Sequence, residues 1–236
     1  MNDTRLSSTV FPSVSIQPVA FFHSPMTSKF GIPRQSGVAD KLPGSIVLEP
    51  AYRSVDAVRG LEAFSHLWLI WGFSANRHEA IGLTVRPPRL GGNERVGVFA
   101  SRSPFRPNGL GLSSVYINNV ELTVSQGPVI HVLGADLMDG TPIYDIKPYV
   151  AYTDSHPDAR CGFVDTHLWH PLVVEIPAVL SRLFTDEEKQ ALIQVLSQDP
   201  RPPFHDDENR IYGMPFAGHD VKFRVTDGML TVVAVE

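Results

Sequence analysis

The chain has 236 residues, of which 43% are hydrophobic and 19% charged, with one cysteine, twenty prolines and a formal net charge of −5. That length buries a core easily, as one large β domain or a main domain with a smaller companion, and the hydrophobic share excludes a disordered chain. Cys161 alone makes neither an internal disulfide nor a multi-cysteine zinc site and suits a reducing cytoplasmic setting, and the longest apolar run, Leu67 to Phe73, is far below the roughly 18 residues of a membrane span.

An acidic total argues against a nucleic-acid partner, because phosphate binding is driven by lysine and arginine. The charge is uneven, however. Met1 to Ser155 carries 13 basic and 12 acidic side chains, a net of +1, whereas His156 to Glu236 carries 7 and 13, a net of −6. The acidity belongs to the C-terminal third.

In chain order, residues 1–13 are polar and small and read as a flexible tail without the basic start and apolar run of a signal peptide. Residues 14–155 form short β-branched or aromatic runs broken by Gly and Pro: VSIQPVAFF, GSIVLE, HLWLIWGF, GLTVRPP, RVGVFAS, LSSVYINNV, PVIHVLGAD and PIYDIKPYV. Eight or so strands without long helical periods between them predict a mainly β fold, an antiparallel sheet curled into a barrel. The Rossmann alternative fails, because neither GxGxxG nor GxxxxGK[ST] is present. One short helix is predicted at Ser54 to Phe64, capped by Ser54. Residues 156–172 have turn formers and no period, and read as a linker or excursion. Residues 173–236 read as a small α+β domain. In it, the Thr185/Glu188 capping box predicts a helix from Asp186 to Ser197, and Asp227-Gly228 joins two alternating strands.

Three segments carry polar groups beyond what a plain structural account needs. From Arg77 to Arg106 there are six arginines against Glu79 and Glu94. Ser101, Arg102, Ser103, Arg106 and Asn108 precede Gly109, Leu110 and Gly111. Arginines beside small hydroxyls, stiffening prolines and permissive glycines make either a pocket for an anionic or ribose-bearing ligand or a solvated basic loop. In MDGTPIYDIKPYV, Asp139, Gly140, Thr141 and Pro142 have turn chemistry, and Asp145, Lys147 and Tyr149 share one face of an extended strand. That face serves proton transfer or a polar substrate, or holds a cross-strand salt bridge. In SPMTSKFGIPRQSG, Pro33, Arg34 and Gln35 follow a glycine and alone read as a loop. His167 and His170 lack a recognised ligand pattern, so no metal is expected.

The motif GVFASRSPFRPNGLGLS resembles the signature of the TrmO family of tRNA methyltransferases, and DGTPIYDIKPYV resembles that family's second block. KFGIPRQ, VRGLEAFSHLWLIWGF and DPRPPFHDDENRIYGMPFAGHDVKF are similar to bacterial members, so the likeness runs from about Val14 to the C-terminus. The resemblance implies S-adenosylmethionine-dependent methylation of the exocyclic nitrogen of threonylcarbamoyladenosine, next to the anticodon of threonine tRNA. It implies a β-barrel methyltransferase domain and a homodimer with the cofactor near the subunit interface. By the same analogy the cofactor contacts are Pro33, Arg34, Gln35, Ser74, Ala75, Arg102, Leu110 and the turn Asp139, Gly140, Thr141 and Pro142. Ser74-Ala75 stands where many relatives have His-Gln, and Gly109 where many have proline.

The acceptor nitrogen shares its lone pair with the purine and the carbamoyl group, so a positioned base assists the transfer. Asp145 is the candidate base, or else a structural strand-end carboxylate. Lys147 and Tyr149 orient it or the substrate, and Arg106 and Asn108 are candidate substrate contacts, with Arg106 or Arg102 pairing with the threonyl carboxylate or a phosphate. The alternatives are a barrel that binds RNA or a nucleotide without catalysis, and a methyltransferase of the same fold with another acceptor.

Overall fold

A computed structural model describes residues 13–76, 82–90, 94–167, 170–202, 205 and 207–236. Nearly all of the expected tail, and Arg77 of the arginine-rich stretch, lie outside these residues.

Six antiparallel strands close into a barrel. They are β1 (Ala20–His23), β2 (Pro43–Leu48), β3 (His66–Gly72), β6 (Leu110–Thr123), β7 (Gly127–Leu133) and β8 (Thr141–Pro148), in the spatial order β1-β2-β7-β6-β3-β8. Closure leaves no free sheet edge. The period-two pattern drives it. On β3, Leu67, Leu69 and Trp71 point into the core with Phe22, Ile46 and Ile130, while His66, Trp68 and Ile70 face outward. Two of the eight expected strands are not barrel members. GLTVRPP and RVGVFAS contribute only a ribbon, β4 (Thr84–Val85) with β5 (Val96–Gly97), because Pro87 and Pro88 and then a 3₁₀ turn at Val98–Ala100 stop them from extending.

Ser54 caps as expected, accepting from the Asp56 amide at 3.2 Å, yet the helix is only α1 (Val55–Val58). Gly60 breaks it and a separate 3₁₀ turn follows at Leu61–Ala63. After the barrel come two single turns, α2 (Ala151–Asp154) and α3 (Phe163–Thr166), the second within the expected linker.

The C-terminal part is a four-stranded sheet in the order β10-β11-β12-β9, made of β9 (Val173–Glu175), β10 (Tyr212–Phe216), β11 (His219–Thr226) and β12 (Met229–Val235). It also carries α4 (Ala178–Ser181) and α5 (Asp186–Ser197). Both halves of the Thr185/Glu188 capping box form, and α5 buries Ala191, Leu192, Val195 and Leu196. A cap of this kind contributes about 1 kcal/mol. The Asp227-Gly228 turn joins β11 to β12, both residues at positive φ.

The core of this second part is completed from far upstream. Met26, Ala39 and Leu42, each at most 1% exposed, sit among its buried residues, and Phe30 stacks on Tyr212 and Phe223. The Lys41 amide donates to Gln194 Oε1 at 2.8 Å, Gln194 Nε2 donates to Asp40 at 2.6 Å, and the Ala217 amide donates to the Pro25 carbonyl at 3.1 Å. The connection between β1 and β2 is therefore clamped by the C-terminal sheet and helix.

Candidate active site

That clamped connection carries Pro33, Arg34 and Gln35, and the structure gives each a different setting. Pro33 is buried. Arg34 turns toward α5 and lines a cavity of about 220 Å³ with Lys29, Gln198 and Asp199. Gln35 faces the other way and accepts a 2.5 Å hydrogen bond from Arg102 Nη1.

Arg102 lies on the loop between β5 and β6, which its own small side chains shape. Ser101 Oγ donates to the Val98 carbonyl at 2.9 Å and accepts from the Ser103 amide at 3.3 Å, and Ser103 Oγ accepts from the Phe105 amide at 3.2 Å. The two hydroxyls thus serve the loop. Arg106 Nη1 donates to the Ser101 carbonyl at 3.0 Å, and Asn108 is exposed. Gly109 has φ +59, and its amide donates to the Arg106 carbonyl at 3.1 Å. Proline permits neither feature, so a chain with proline here follows another path. Leu110 then pairs with Gly72 at the start of β6.

Ser74 and Ala75, just past β3, have committed backbones. The Ser74 amide donates to the Gly72 carbonyl at 2.8 Å, and Lys29 Nζ reaches the Ala75 carbonyl at 2.7 Å and Asn76 at 3.0 Å.

The turn Asp139 to Pro142 is stitched to the end of β1. The Asp139 amide donates to the Met26 carbonyl and the Gly140 amide to the Phe22 carbonyl. The Asp139 carboxylate accepts from the Ser24 amide at 3.1 Å and meets His23 Nδ1 at 3.2 Å. Buried Thr141 returns its hydroxyl to the Met138 carbonyl at 2.7 Å, and Pro142 pairs with Phe21. These side chains hold the turn in place.

Asp145, Lys147 and Tyr149 are on the outside of the barrel. Asp145 is opposite Ile70 and Lys147 opposite Trp68, and a register shift at Ile70/Trp71 keeps Ile143 and Ile146 inward. The Asp145 carboxylate bonds Lys147 Nζ at 2.9 Å along the same strand, not across strands, and accepts from the Ile146 amide at 2.9 Å. Tyr149 lies just beyond β8 and contacts the rings of His66 and Trp68. The three residues share one outer face of the barrel.

Asp136, between β7 and β8, is a residue that the motif reading passed over. Its Oδ1 accepts from Ser113 Oγ at 2.5 Å, and that hydroxyl in turn accepts from Trp71 Nε1 at 2.9 Å. Burial pushes its carboxyl above the ordinary carboxylate range. The Ser113 hydroxyl, the amides of Asp136 and Ser36 and the Arg102 charge oppose that rise. A sequence signal did exist: Asp136 is a charged residue between Ala135 and Leu137, both almost fully buried. Gln35, Arg102 and Asp136 place a neutral amide, a cation and an anion together at loop ends. That donor and acceptor set fits a zwitterionic ligand with an additional positive centre, such as S-adenosylmethionine.

The family model described as the tRNA-methyltransferase O N-terminal domain matches residues 21–155, and that described as the TrmO C-terminal domain matches 174–236. An Escherichia coli K12 protein named tRNA (adenine(37)-N6)-methyltransferase is 40% identical over 233 residues, 95% of this chain and 98% of its own length. A Pseudomonas aeruginosa protein, provisionally named an S-adenosylmethionine-dependent methyltransferase, is 39% identical over 88% of this chain and 90% of its own length. The crystal structure of TrmO from Pseudomonas aeruginosa superposes with a TM-score of 0.76 at 32% identity, covering 95% of this chain and 99% of that one. Barrel, C-terminal sheet and loop cluster together define a β-barrel methyltransferase of the non-Rossmann class. The chain belongs to the TrmO family, across both of that family's domains.

Proposed function

We propose that this chain is an S-adenosylmethionine-dependent methyltransferase that acts, as a cytoplasmic homodimer, on the exocyclic nitrogen of threonylcarbamoyladenosine beside the anticodon of threonine tRNA. The observation that carries this reading is the end-to-end match to a protein named for N6 methylation of adenine 37 in tRNA, on a chain that also clusters Gln35 and Arg102. Among the described residues no helix is long and apolar enough to cross a membrane.

S-adenosylmethionine supplies, when bound, a methyl group on a positively charged sulfur, which transfers by in-line displacement without a metal. Arg102 and Gln35 bind and orient its polar end, with the backbone at Pro33, Leu110 and the Asp139 to Pro142 turn shaping the remainder. Alignment of the two reactants provides much of the acceleration. The acceptor nitrogen sheds its proton as it is methylated, and Asp145 would accept that proton. Lys147, 2.9 Å away, orients that carboxylate. Arg106 and Asn108 face the threonyl carboxylate or a neighbouring phosphate, and Arg106 has donors left over after its bond to Ser101.

The dimer reading rests on the outer face of β6, β3 and β8. Leu112 and Tyr116 are 57% and 45% exposed there, beside His66, Trp68 and Tyr149. A contiguous apolar and aromatic face of this kind suits a two-fold contact with a second copy. Asp145 and Lys147 lie on that face, so a partner would border the proton-accepting side. In this reading residues 14–155 are the methyltransferase domain, 156–172 a linker, and 173–236 a domain that holds the Gln35 loop.

Mass spectrometry of tRNA nucleosides from a strain lacking the protein tests the assignment. Methylated threonylcarbamoyladenosine should vanish and return on complementation, and an unchanged level refutes the acceptor. Saturable binding of S-adenosylmethionine to the purified chain separates the enzyme from a non-catalytic RNA-binding barrel.

A further inference from the structure

Residues 82–108 hold five arginines, no lysine and one acid, Glu94, so the β4–β5 ribbon and the loop after it make a basic surface on a chain of net charge −5. Three apolar side chains stand exposed on it. Leu83 is 79% exposed, Phe99 77% and Phe105 52%. Single exposed hydrophobic residues are ordinary, but these three are neighbours. The Val98 amide donates to the Leu83 carbonyl at 3.0 Å, which sets Leu83 beside the turn that carries Phe99. Arg106 Nη1 donates to the Ser101 carbonyl at 3.0 Å, which draws the Phe105 turn back onto that same turn.

Both rings are displayed on fixed backbones. Val98, 2% exposed, anchors the 3₁₀ turn Val98–Ala100, and Ser101 Oγ closes it by donating to the Val98 carbonyl at 2.9 Å. The Phe105 amide donates to Ser103 Oγ at 3.2 Å, and the Arg106 amide to the Pro104 carbonyl at 2.9 Å. Neither ring gains a place in the core from this order, and both are pre-organised for a partner with flat apolar faces. Arg102 lies between them in the chain, and its bond to Gln35 ties this surface to the methyl-donor contacts proposed above. Arg86 and Arg95 are exposed on the ribbon side, where Arg95 commits one donor to Thr84 Oγ1 at 2.9 Å.

Flat apolar faces combined with dense negative charge are the chemistry of single-stranded RNA, whose unstacked bases settle on aromatic rings while its phosphates meet arginine. A second copy of this chain suits the surface poorly, because a two-fold contact centred here would set the arginines of one copy against those of the other. We propose that Phe99 and Phe105 are stacking platforms for unpaired bases of the anticodon loop, with Arg86, Arg95 and Arg106 holding the adjoining phosphates, so that the target nucleotide is presented beside Arg102. This rests on the reading of tRNA as the substrate.

The test measures fluorescence anisotropy on the full chain with two synthetic RNAs, a threonine tRNA anticodon stem-loop carrying threonylcarbamoyladenosine and a blunt duplex of the same length. Phe99→Ala and Phe105→Ala should each weaken stem-loop binding about tenfold, and leave duplex binding and S-adenosylmethionine affinity within about twofold of wild type. Phe99→Trp should bind the stem-loop at least as tightly as wild type, whereas Phe99→Leu, apolar but without a ring, should behave as Phe99→Ala. Arg86→Gln should weaken both RNAs alike and lower the slope of log affinity against log salt by about one. Wild-type stem-loop affinity in both alanine variants, or an equal loss on the duplex, overturns the proposal. Dissociation of a dimer in either variant, read by sedimentation, also overturns it, because the rings would then join two copies. Absence of stem-loop binding to wild type would instead defeat tRNA as the substrate.

Discussion

Arg102 Nη1 and Gln35 Oε1 lie 2.5 Å apart, joining the loop after the β4–β5 ribbon to the connection between the first two barrel strands. A hydrogen bond to a charged group contributes about 1.5–3 kcal/mol at most, less where solvent competes. Gln35→Ala should therefore weaken S-adenosylmethionine binding about three- to tenfold. Arg102→Lys should weaken it more than tenfold, because an ammonium cannot reproduce the guanidinium fork. Calorimetric titration reads both, and thermal midpoints within a few degrees of wild type should accompany them, since Arg102 is exposed.

Asp145 is the candidate base, held beside Lys147 on the outer face. Asp145→Asn keeps the shape and removes proton-accepting capacity. Turnover on tRNA should fall about 10²–10⁴-fold, with cofactor affinity nearly unchanged. Single-turnover methylation at the wild-type rate would reassign Asp145 to strand-end structure. Lys147→Met, which removes only the orienting charge, should have a smaller effect on the same step.

Gly31 has φ +92, and a Cβ built on it would lie 2.1 Å from Met214 Sδ. Gly31→Ala adds backbone strain to a clash and should cost about 2–4 kcal/mol in urea unfolding. Adding Met214→Ala relieves the clash but not the strain, and opens a cavity of its own. The double variant should therefore stay less stable than wild type in the same urea measurement.

Asp154 accepts hydrogen bonds from the Val150 amide at 2.8 Å and Trp68 Nε1 at 2.9 Å, and these, the amide first, hold its carboxyl below the ordinary value of 3.8. A depressed value in the folded state means that the contribution to stability is fully present above the unfolded value and is lost as pH falls through the folded one. Urea midpoints measured between about pH 5 and about pH 2 should fall less steeply for Asp154→Asn than for wild type. The fluorescence of Trp68 should follow the same acid step in wild type and lose it in the variant.

Much of the fold was legible because it is local. The α5 helix runs over the expected Asp186–Ser197, since Thr185 and Glu188 state its start in chemical terms. The alternation of Leu67, Leu69 and Trp71 gave β3 its facing, and the absent glycine fingerprints pointed away from a parallel sheet. Barrel membership was less legible, because Thr84–Val85 and Val96–Gly97 look like strand beginnings and only the prolines and the 3₁₀ turn cut them short.

At the candidate site, the family motifs led to Gln35 and Arg102 but gave no reason for them to touch. Asp136 was missed because its setting depends on Ser113, a hydrogen-bond partner 23 residues away that no period or spacing announces. The serines around Arg102 looked like ligand contacts, yet Ser101 and Ser103 are occupied in folding their own loop. The same holds for the fate of Met26, Ala39 and Leu42. Nothing near them in sequence indicates that their hydrophobic neighbours come from the other end of the chain.

That last arrangement fixes an order of events during synthesis. The barrel strands emerge first and can pair among themselves as soon as β8 is made, but the connection carrying Gln35 has its apolar side bare until β10, β11 and β12 have followed. The newborn chain thus passes through an interval in which the barrel strands are complete and the connection between β1 and β2 has its apolar side uncovered. A chain broken off before β10 would leave Met26, Ala39 and Leu42 without the buried neighbours that β10, β11 and β12 supply here.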